Sequence, residues 1–506
     1  MRYIYAEAGS TIVAVDAEGM DKRWLSQLLE YLRPEYGVEN HAEAVKMGEN
    51  EWAQAHLSWF CDANYWKRIW IIQEFAISHK LLFLVGDALI TEDKLSFLIK
   101  IWEHPSHSVR RDQVKAVFEI RESWKKKKPI GLLDILSRTK TSLCGRRHDR
   151  VFGLIGLSLD ALEFVSEPNY QIDWRELATH MTRSYVMKHS LDLILLASRS
   201  SLDLSLASWS PNYFEFDKCP PEERCFKIIA SHSPRNELNS LYVHRGRWAA
   251  TGYSRGDFYF SGSSLVTSAH RIGEIYSLSA AWSDPTDGAY PTHDPLMSKY
   301  PRDNVAEMLM SAMLTSDNTY NYTSPAPIHG SYRWIPNFLQ IPAYNFVLSY
   351  AYLSAFHPDH NWSDTDEPLP GIVQWLCRNR DFVAAGRSLG EYAAELGHPA
   401  RHIGLATWHL SVALNKSVHW PMKRMAEANM RMMCLDNAEF GIGWAALGAR
   451  VYDEVFLVPG VSSPVVLRRR EDGRYYFIGD AVVIGAMEGE VWKGVDGEEL
   501  VKVEIV

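Results

Sequence analysis

Tyr65-Trp66-Lys67-Arg68-Ile69-Trp70-Ile71-Ile72-Gln73-Glu74-Phe75-Ala76, followed shortly by Leu81-Leu82-Phe83-Leu84-Val85-Gly86, is the stretch on which the reading of this chain turns. Its first part reads as a helix, with Trp66, Trp70 and Glu74 spaced to share one face. Its second part is short, apolar and closed by glycine, which reads as a buried strand. A helix running into such a strand predicts a parallel sheet covered on both sides.

Working outward, Thr11 to Val15 is rich in β-branched residues and reads as a second strand. With a helical crossover between them, the two strands are expected to lie side by side and parallel. Apolar stripes predict helices over 21–32 and 41–60, and Asp62 is placed to cap a Trp-rich helix ending near His79. Further helical patterns cover Glu92–Trp102, Val109–Trp124 and Leu132–Ser137. Asp173 opens an amphipathic helix expected to turn Leu177, Met181, Tyr185 and Met187 inward. Pro211, Pro220 and Pro221 mark a boundary near residue 215.

Beyond that boundary, Leu241–Val243 and Trp248–Gly252 read as strands, and 283–301 and 357–370 as loops. Helices are expected from about 371 to 434. Four short strands follow at Glu454–Val458, Val465–Arg469, Tyr475–Ile478 and Val482–Ile484, the middle pair joined by the turn Glu471-Asp472-Gly473. The expected organisation is an α/β domain over 1–215, a mixed strand and loop region over 216–370, helices over 371–440 and a small antiparallel sheet over 441–506 that needs cover from the rest of the chain.

At 506 residues the chain is too long for one core. A net charge of −9 argues against a nucleic-acid partner, which would demand a basic surface. The one basic run, Lys125 to Lys128, reads as a solvated loop rather than a nuclear signal. Six cysteines without C-x-x-C spacing suit a reducing compartment, and the expected location is the cytoplasm. No apolar run approaches the length of a membrane span.

The opening segment resembles the signature of the fungal heterokaryon incompatibility (HET) domain, a W-x-R-x-W-x-x-Q-E helix followed by a short strand and glycine. Three more blocks resemble the same family in the same order: Leu132–Thr139 with His148–Leu157; Tyr170 with Ser190–Ala197 and Leu206–Pro211; and Val465–Arg468 with Gly479–Glu490. In that family an N-terminal block precedes the element matched by Tyr3 to Val15, so the chain is expected to begin inside the domain. The resemblance implies a partial TIR-like fold and a role in non-self recognition and programmed cell death. It implies an interaction module, docking a protein partner or a second copy. The alternatives are an NAD-cleaving enzyme using Glu74 and an inactive or truncated paralogue.

In the enzymatic alternative, Glu74 is the catalytic carboxylate, stabilising an oxocarbenium-like state as the nicotinamide–ribose bond breaks. Trp70 sits one turn before it, and Gln73 and Arg68 are the candidate contacts to ribose and diphosphate. NAD would then be a substrate, and no resident cofactor or metal is expected. The competing reading makes Glu74 a surface or helix-pairing carboxylate, Gln73 a helix-to-loop hydrogen bonder, Arg68 and Arg150 ion-pair partners, and Trp66 and Trp70 core aromatics. The acidic, histidine-containing loop His357–Glu367 lacks metal-ligand spacing, and His148-Asp149 point apart on a helix. No G-x-S-x-G, Walker or G-x-G-x-x-G pattern occurs.

Overall fold

A computed structural model describes residues 2–15, 60–85, 88–101, 109–128, 130–197, 205–214, 250–251, 256–281, 286–290, 375, 378–384, 387–388, 430–437, 441–483, 485–487, 489–495 and 497–506. The helices expected over 21–32 and 41–59, the strand at Leu241–Val243 and the loops at 291–301 and 357–370 lie outside these residues. The chain forms two compact units, one of Met1–Ser184 with Asn212–Lys218, the other of Tyr185–Pro211 with Cys219–Val506.

In the first unit, helix α1 (Arg2–Glu7) leads into β1 (Thr11–Val15). Helices α2 (Asn64–Lys67) and α3 (Ile71–Ile77) precede β2 (Leu81–Val85) and β3 (Ala88–Thr91). β1 and β2 pair parallel and in register from Thr11↔Leu81 to Val15↔Val85, as the sequence predicts. β3 then folds back antiparallel, Phe83 facing Ile90 and Leu84 facing Leu89. One face of this sheet carries Val13, Val15, Leu81, Phe83, Val85 and Ile90, all buried. The other is not covered as expected: Ile12 is 60% exposed, Leu84 38% and Leu89 55%.

The expected single helix from Asp62 to His79 is broken in two. Arg68 is extended (φ −85°, ψ 132°) and bridges to Leu143. The Ile69 N–H donates to the Leu143 carbonyl at 2.9 Å, and the Leu143 N–H donates to the Lys67 carbonyl. A neighbouring segment thus takes backbone groups that a continuous helix would use, which separates Trp66 from Trp70 and Glu74. Asp62 does not cap α2, whose N-cap is Ala63 without a side-chain bond. Trp66 is 1% exposed and sits among Phe60, Tyr65, Phe75, Phe83 and Phe118.

Helices α4 (Glu92–Ile101), α5 (Val109–Lys125) and α6 (Leu132–Arg138) match the expected spans to within a residue at either end. The short α7 (Asp149–Phe152) and α8 (Ala161–Phe164) follow, then α9 (Trp174–Lys188). Asp173 accepts from the Arg175 N–H at 2.8 Å at the start of α9. Leu177, Met181 and Tyr185 are buried as expected, but Met187 is 66% exposed because it falls off their stripe.

In the second unit the C-terminal strands are members of a larger sheet. It comprises β4 (Phe258–Ser261), β5 (Ser264–Leu278), β8 (Met430–Leu435), β9 (Ile442–Ala446), β10 (Glu454–Leu457), β11 (Val465–Arg469), β12 (Tyr475–Val483) and β13 (Val501–Ile505); the hairpin β6 (Val383–Ala384) and β7 (Arg387–Ser388) is separate. Met430–Leu435 is therefore strand where helix was expected, Ala250 and Thr251 form a turn instead of a strand, and the last two expected strands merge into β12. Along β5, the partners change from β13 to β10 to β8. Along β12 they change from β11 to β9, with one parallel contact to β13 at Tyr475↔Ile505. The pairings β5–β8–β9–β12–β11–β10–β5 return to their start, so the strands close into a barrel. Ile272, Ile275, Met433, Leu435, Val455, Leu457, Val466, Ile478 and Val483 form a core cluster within it.

The β11–β12 hairpin turns as predicted at Gly473, whose φ of +82° favours glycine. The Leu206–Pro211 segment joins this unit through Ser208, which donates through its N–H and hydroxyl to the Val506 carbonyl. The Ser208 hydroxyl oxygen also accepts from the Phe477 N–H at 2.8 Å.

Candidate functional site

Glu74 lies half-buried in the middle of α3. The helix is fixed from behind by Arg121 of α5, which is 1% exposed. Its guanidinium donates to the carbonyls of Phe75 (2.6 Å), Ala76 (3.3 Å) and Ser78 (2.6 Å), the C-terminal acceptors that a helix leaves unsatisfied. Its other edge makes a two-point pair with Glu92 at 2.6 and 2.7 Å, and Lys125 adds a third donor at 2.7 Å. Burial pushes the Glu92 carboxyl upward, yet the hydrogen bonds and charges of Arg121 and Lys125 outweigh it and hold it below the usual carboxylate range.

The Glu74 carboxylate and the Arg68 guanidinium act electrostatically on two tyrosines. α1 packs against α3, and the Glu74 carboxylate acts on the Tyr5 hydroxyl electrostatically. Burial raises the Tyr5 pKa first, and the Glu74 carboxylate raises it further, against a smaller opposing effect of Arg68. Tyr65, from α2, is shifted upward more strongly: burial dominates, with Glu74 and Tyr5 adding to it and Arg68 opposing. The Tyr65 hydroxyl is buried and has no hydrogen-bond partner among the described residues. Arg68, at the break between α2 and α3, is exposed and acts electrostatically on both phenols.

Of the four residues singled out from sequence, Glu74 and Arg68 act in opposite senses on the same two tyrosines. Trp70 stands half-buried one turn before Glu74, whose N–H donates to the Trp70 carbonyl at 3.5 Å. Gln73 is elsewhere: it is buried, and Gly156 packs so closely on it that a Cβ there would stand 3.1 Å from its amide nitrogen. Tyr5, Tyr65, Arg121 and Glu92 were not visible as site residues, since only tertiary contacts bring them to α3. What the arrangement offers chemically is a carboxylate acceptor in the middle of a rigidly held helix, with a buried phenol and an exposed guanidinium on the segment before it.

His148 and Asp149, set aside on sequence as an acid–base pair, are held in structural bonds. Asp149 accepts from the Tyr170 hydroxyl at 2.8 Å and from the Arg146 N–H at 3.3 Å, while His148 Nε2 lies 2.8 Å from the Ile172 carbonyl. Burial, followed by the Asp149 bond and charge, pushes the Tyr170 phenol up to about 12. Arg150 is buried and donates to the carbonyls of Thr139 and Lys140 at 3.0 and 2.8 Å, closing the end of α6. Among the described residues no group of three or more His, Cys, Asp or Glu side chains is placed to hold a metal ion. No helix among them is long and apolar enough to cross a membrane. No family model, no curated protein and no solved structure matches this chain.

Proposed function

We propose that this chain is a HET-type protein of fungal non-self recognition that acts chiefly as an interaction module, docking a cytoplasmic protein partner or a second copy on the way to programmed cell death. The observation that carries this reading is the in-register parallel pair β1–β2, with the W-x-R-x-W-x-x-Q-E segment feeding its second strand. That is the arrangement the resemblance implies. The test is to fuse the chain to a chemically inducible dimerisation tag in a fungal host and follow viability. Growth should stop on dimerisation and should not stop for Trp66→Ala; continued growth with folded, expressed protein rejects the reading.

The second reading, NAD cleavage through Glu74, is favoured by one observation: the buried Tyr65 hydroxyl has no hydrogen-bond partner among the described residues and feels the charges of Glu74 and Arg68. Purified intact chain should release no appreciable nicotinamide from NAD. Release that vanishes in Glu74→Ala would promote the enzyme over the module.

A further inference from the structure

The loop between α6 and α7 and the start of α9 bring three arginines onto two aromatic rings. The Arg146 guanidinium carbon lies 5.6 Å from the centre of the Tyr170 ring, and those of Arg147 and Arg175 lie 4.5 and 4.7 Å from the centre of a Trp174 ring. The rings are themselves fixed. Tyr170 packs on Phe152 and donates its hydroxyl to Asp149, and Trp174 packs edge-on against Phe214. The loop backbone is held at two points: the Leu143 carbonyl accepts from the Ile69 N–H, and the Arg146 carbonyl accepts from the Asp149 N–H at 3.0 Å. Planar cations resting on fixed rings lose little freedom on pairing with an anion, so the patch is organised before a partner arrives.

Arg146 and Arg147 are exposed. The Arg146 guanidinium makes no ion pair among the described residues, and Asp149 is taken by the Tyr170 hydroxyl and the Arg146 N–H. Asp173 accepts from the Arg175 N–H at 2.8 Å and reaches the Arg175 guanidinium only at 3.3 Å. The Arg175 Nε–H meets no acceptor among the described residues. Glu176 is exposed and makes no ion pair among them. Two guanidiniums against one indole repel each other, and an arriving carboxylate relieves that repulsion. In the same loop Leu143 is 62% exposed, an apolar group beside the cations.

We propose that Arg146, Arg147 and Arg175, presented by Tyr170 and Trp174, form the docking surface for an acidic peptide segment of a partner protein, with Leu143 receiving an apolar side chain of that segment. Each guanidinium fork offers two N–H donors to a carboxylate. The cations stand on two separate rings, which spreads them over the surface and suits carboxylates distributed along a peptide. A net charge of −9 over the whole chain disfavours a long polyanion such as a nucleic acid. The proposal rests on the interaction-module reading and names a surface for it; peptide binding can fail while growth arrest on dimerisation succeeds, so the two fall separately.

The test is fluorescence polarisation of a labelled short peptide of glutamates around one central leucine, titrated with the full chain at low salt. Wild type should bind, and Arg146→Gln/Arg147→Gln should bind about tenfold or more weakly. Arg147→Lys keeps the charge but loses the planar fork on Trp174, and should bind about threefold more weakly. Circular dichroism checks that each variant is folded. No binding by wild type, or equal binding by the folded double variant, overturns the surface. Arg147→Lys binding as well as wild type overturns the stacked geometry, because diffuse charge would then suffice. Displacement of the peptide by an equal concentration of inorganic phosphate assigns the arginines to a phosphate group and overturns the acidic peptide.

Discussion

The sheet of the first unit and the barrel of the second are made from similar apolar strands, yet they treat their two faces differently. In the barrel, β5 is buried along nearly all of its length and finds a different partner for each third of it. In the three-stranded sheet, Val13 and Phe83 are buried while Ile12 and Leu84, their chain neighbours, stand open. Closure lets the barrel bury its apolar faces without another layer. The smaller sheet relies on one covered face and on a polar clamp, Arg121, that fixes the helix beside it.

The largest effect expected from this contrast is in the barrel. Leu467→Asp places an uncompensated charge at a fully buried position and should cost more than about 5 kcal/mol, unfolding the second unit. Circular dichroism and exchange should lose the barrel signal. A folded, cooperative Leu467→Asp chain would mean that the strands do not close.

In the first unit, Trp66→Ala should cost about 3–5 kcal/mol, because five aromatic neighbours cannot collapse into so large a hole. A melting shift no larger than that of an exposed substitution would show that Trp66 is not the centre of this core. Arg121→Met comes next, at about 3 kcal/mol, because it strands three carbonyls and the Glu92 carboxylate. Adding Glu92→Leu should recover part of that loss. Additive losses in the double variant would refute the clamp.

Acid should separate the two units in opposite directions. Glu92 is depressed in the folded chain, so its contribution is fully present above its unfolded value near 4.5 and is lost as pH falls through the folded value. Asp453, paired with Arg468 at 2.8 Å, is raised because burial outweighs that pair. Its contribution is present below its unfolded value near 3.8 and is lost as pH rises through the folded value. Hydrogen exchange followed through the acid range should therefore show Glu92→Gln flattening the acid loss of the first unit, and Asp453→Asn removing an opposing slope from the barrel. Identical slopes in variant and parent would contradict both assignments.

The smallest effect is on the open face. Leu84→Thr should change stability by no more than about 0.5 kcal/mol, whereas Phe83→Ala, one residue away on the covered face, should cost about 3–5 kcal/mol. Equal losses would show that the open face is covered in solution.

What sequence could reveal follows the same division between local and distant causes. Thr11–Val15 and Leu81–Val85 were legible because β-branched and apolar runs specify a strand from within. The break at Arg68 was not, since its cause is the backbone of Leu143. β5 was hidden by its composition: Ser264, Thr267, Ser268, His270, Arg271 and Glu274 interrupt its apolar pattern, and only its changing partners make it a strand throughout. Arg121 sits in an amphipathic helix whose charged residues read as solvent-facing. In the candidate site, Glu74 and Arg68 were singled out through the resemblance, whereas Tyr5 and Tyr65 acquire meaning only once α1 and α2 are placed around α3.

The shared strand β5 also sets a schedule for biosynthesis. Its first five residues after Ser264 are held by β13, and β13 ends at Ile505. On a ribosome adding roughly 5–20 residues per second, β5 emerges and then waits on the order of ten seconds or more for that partner. During that interval the start of β5 has only the hairpin partner β4, and the rest of it is paired as β8 and β10 appear, so one stretch of strand edge stays open to other chains. The ring β5–β8–β9–β12–β11–β10 thus cannot close until β12 has been made, and the cell's chaperone supply during that wait, as much as the chain's own stability, sets its yield.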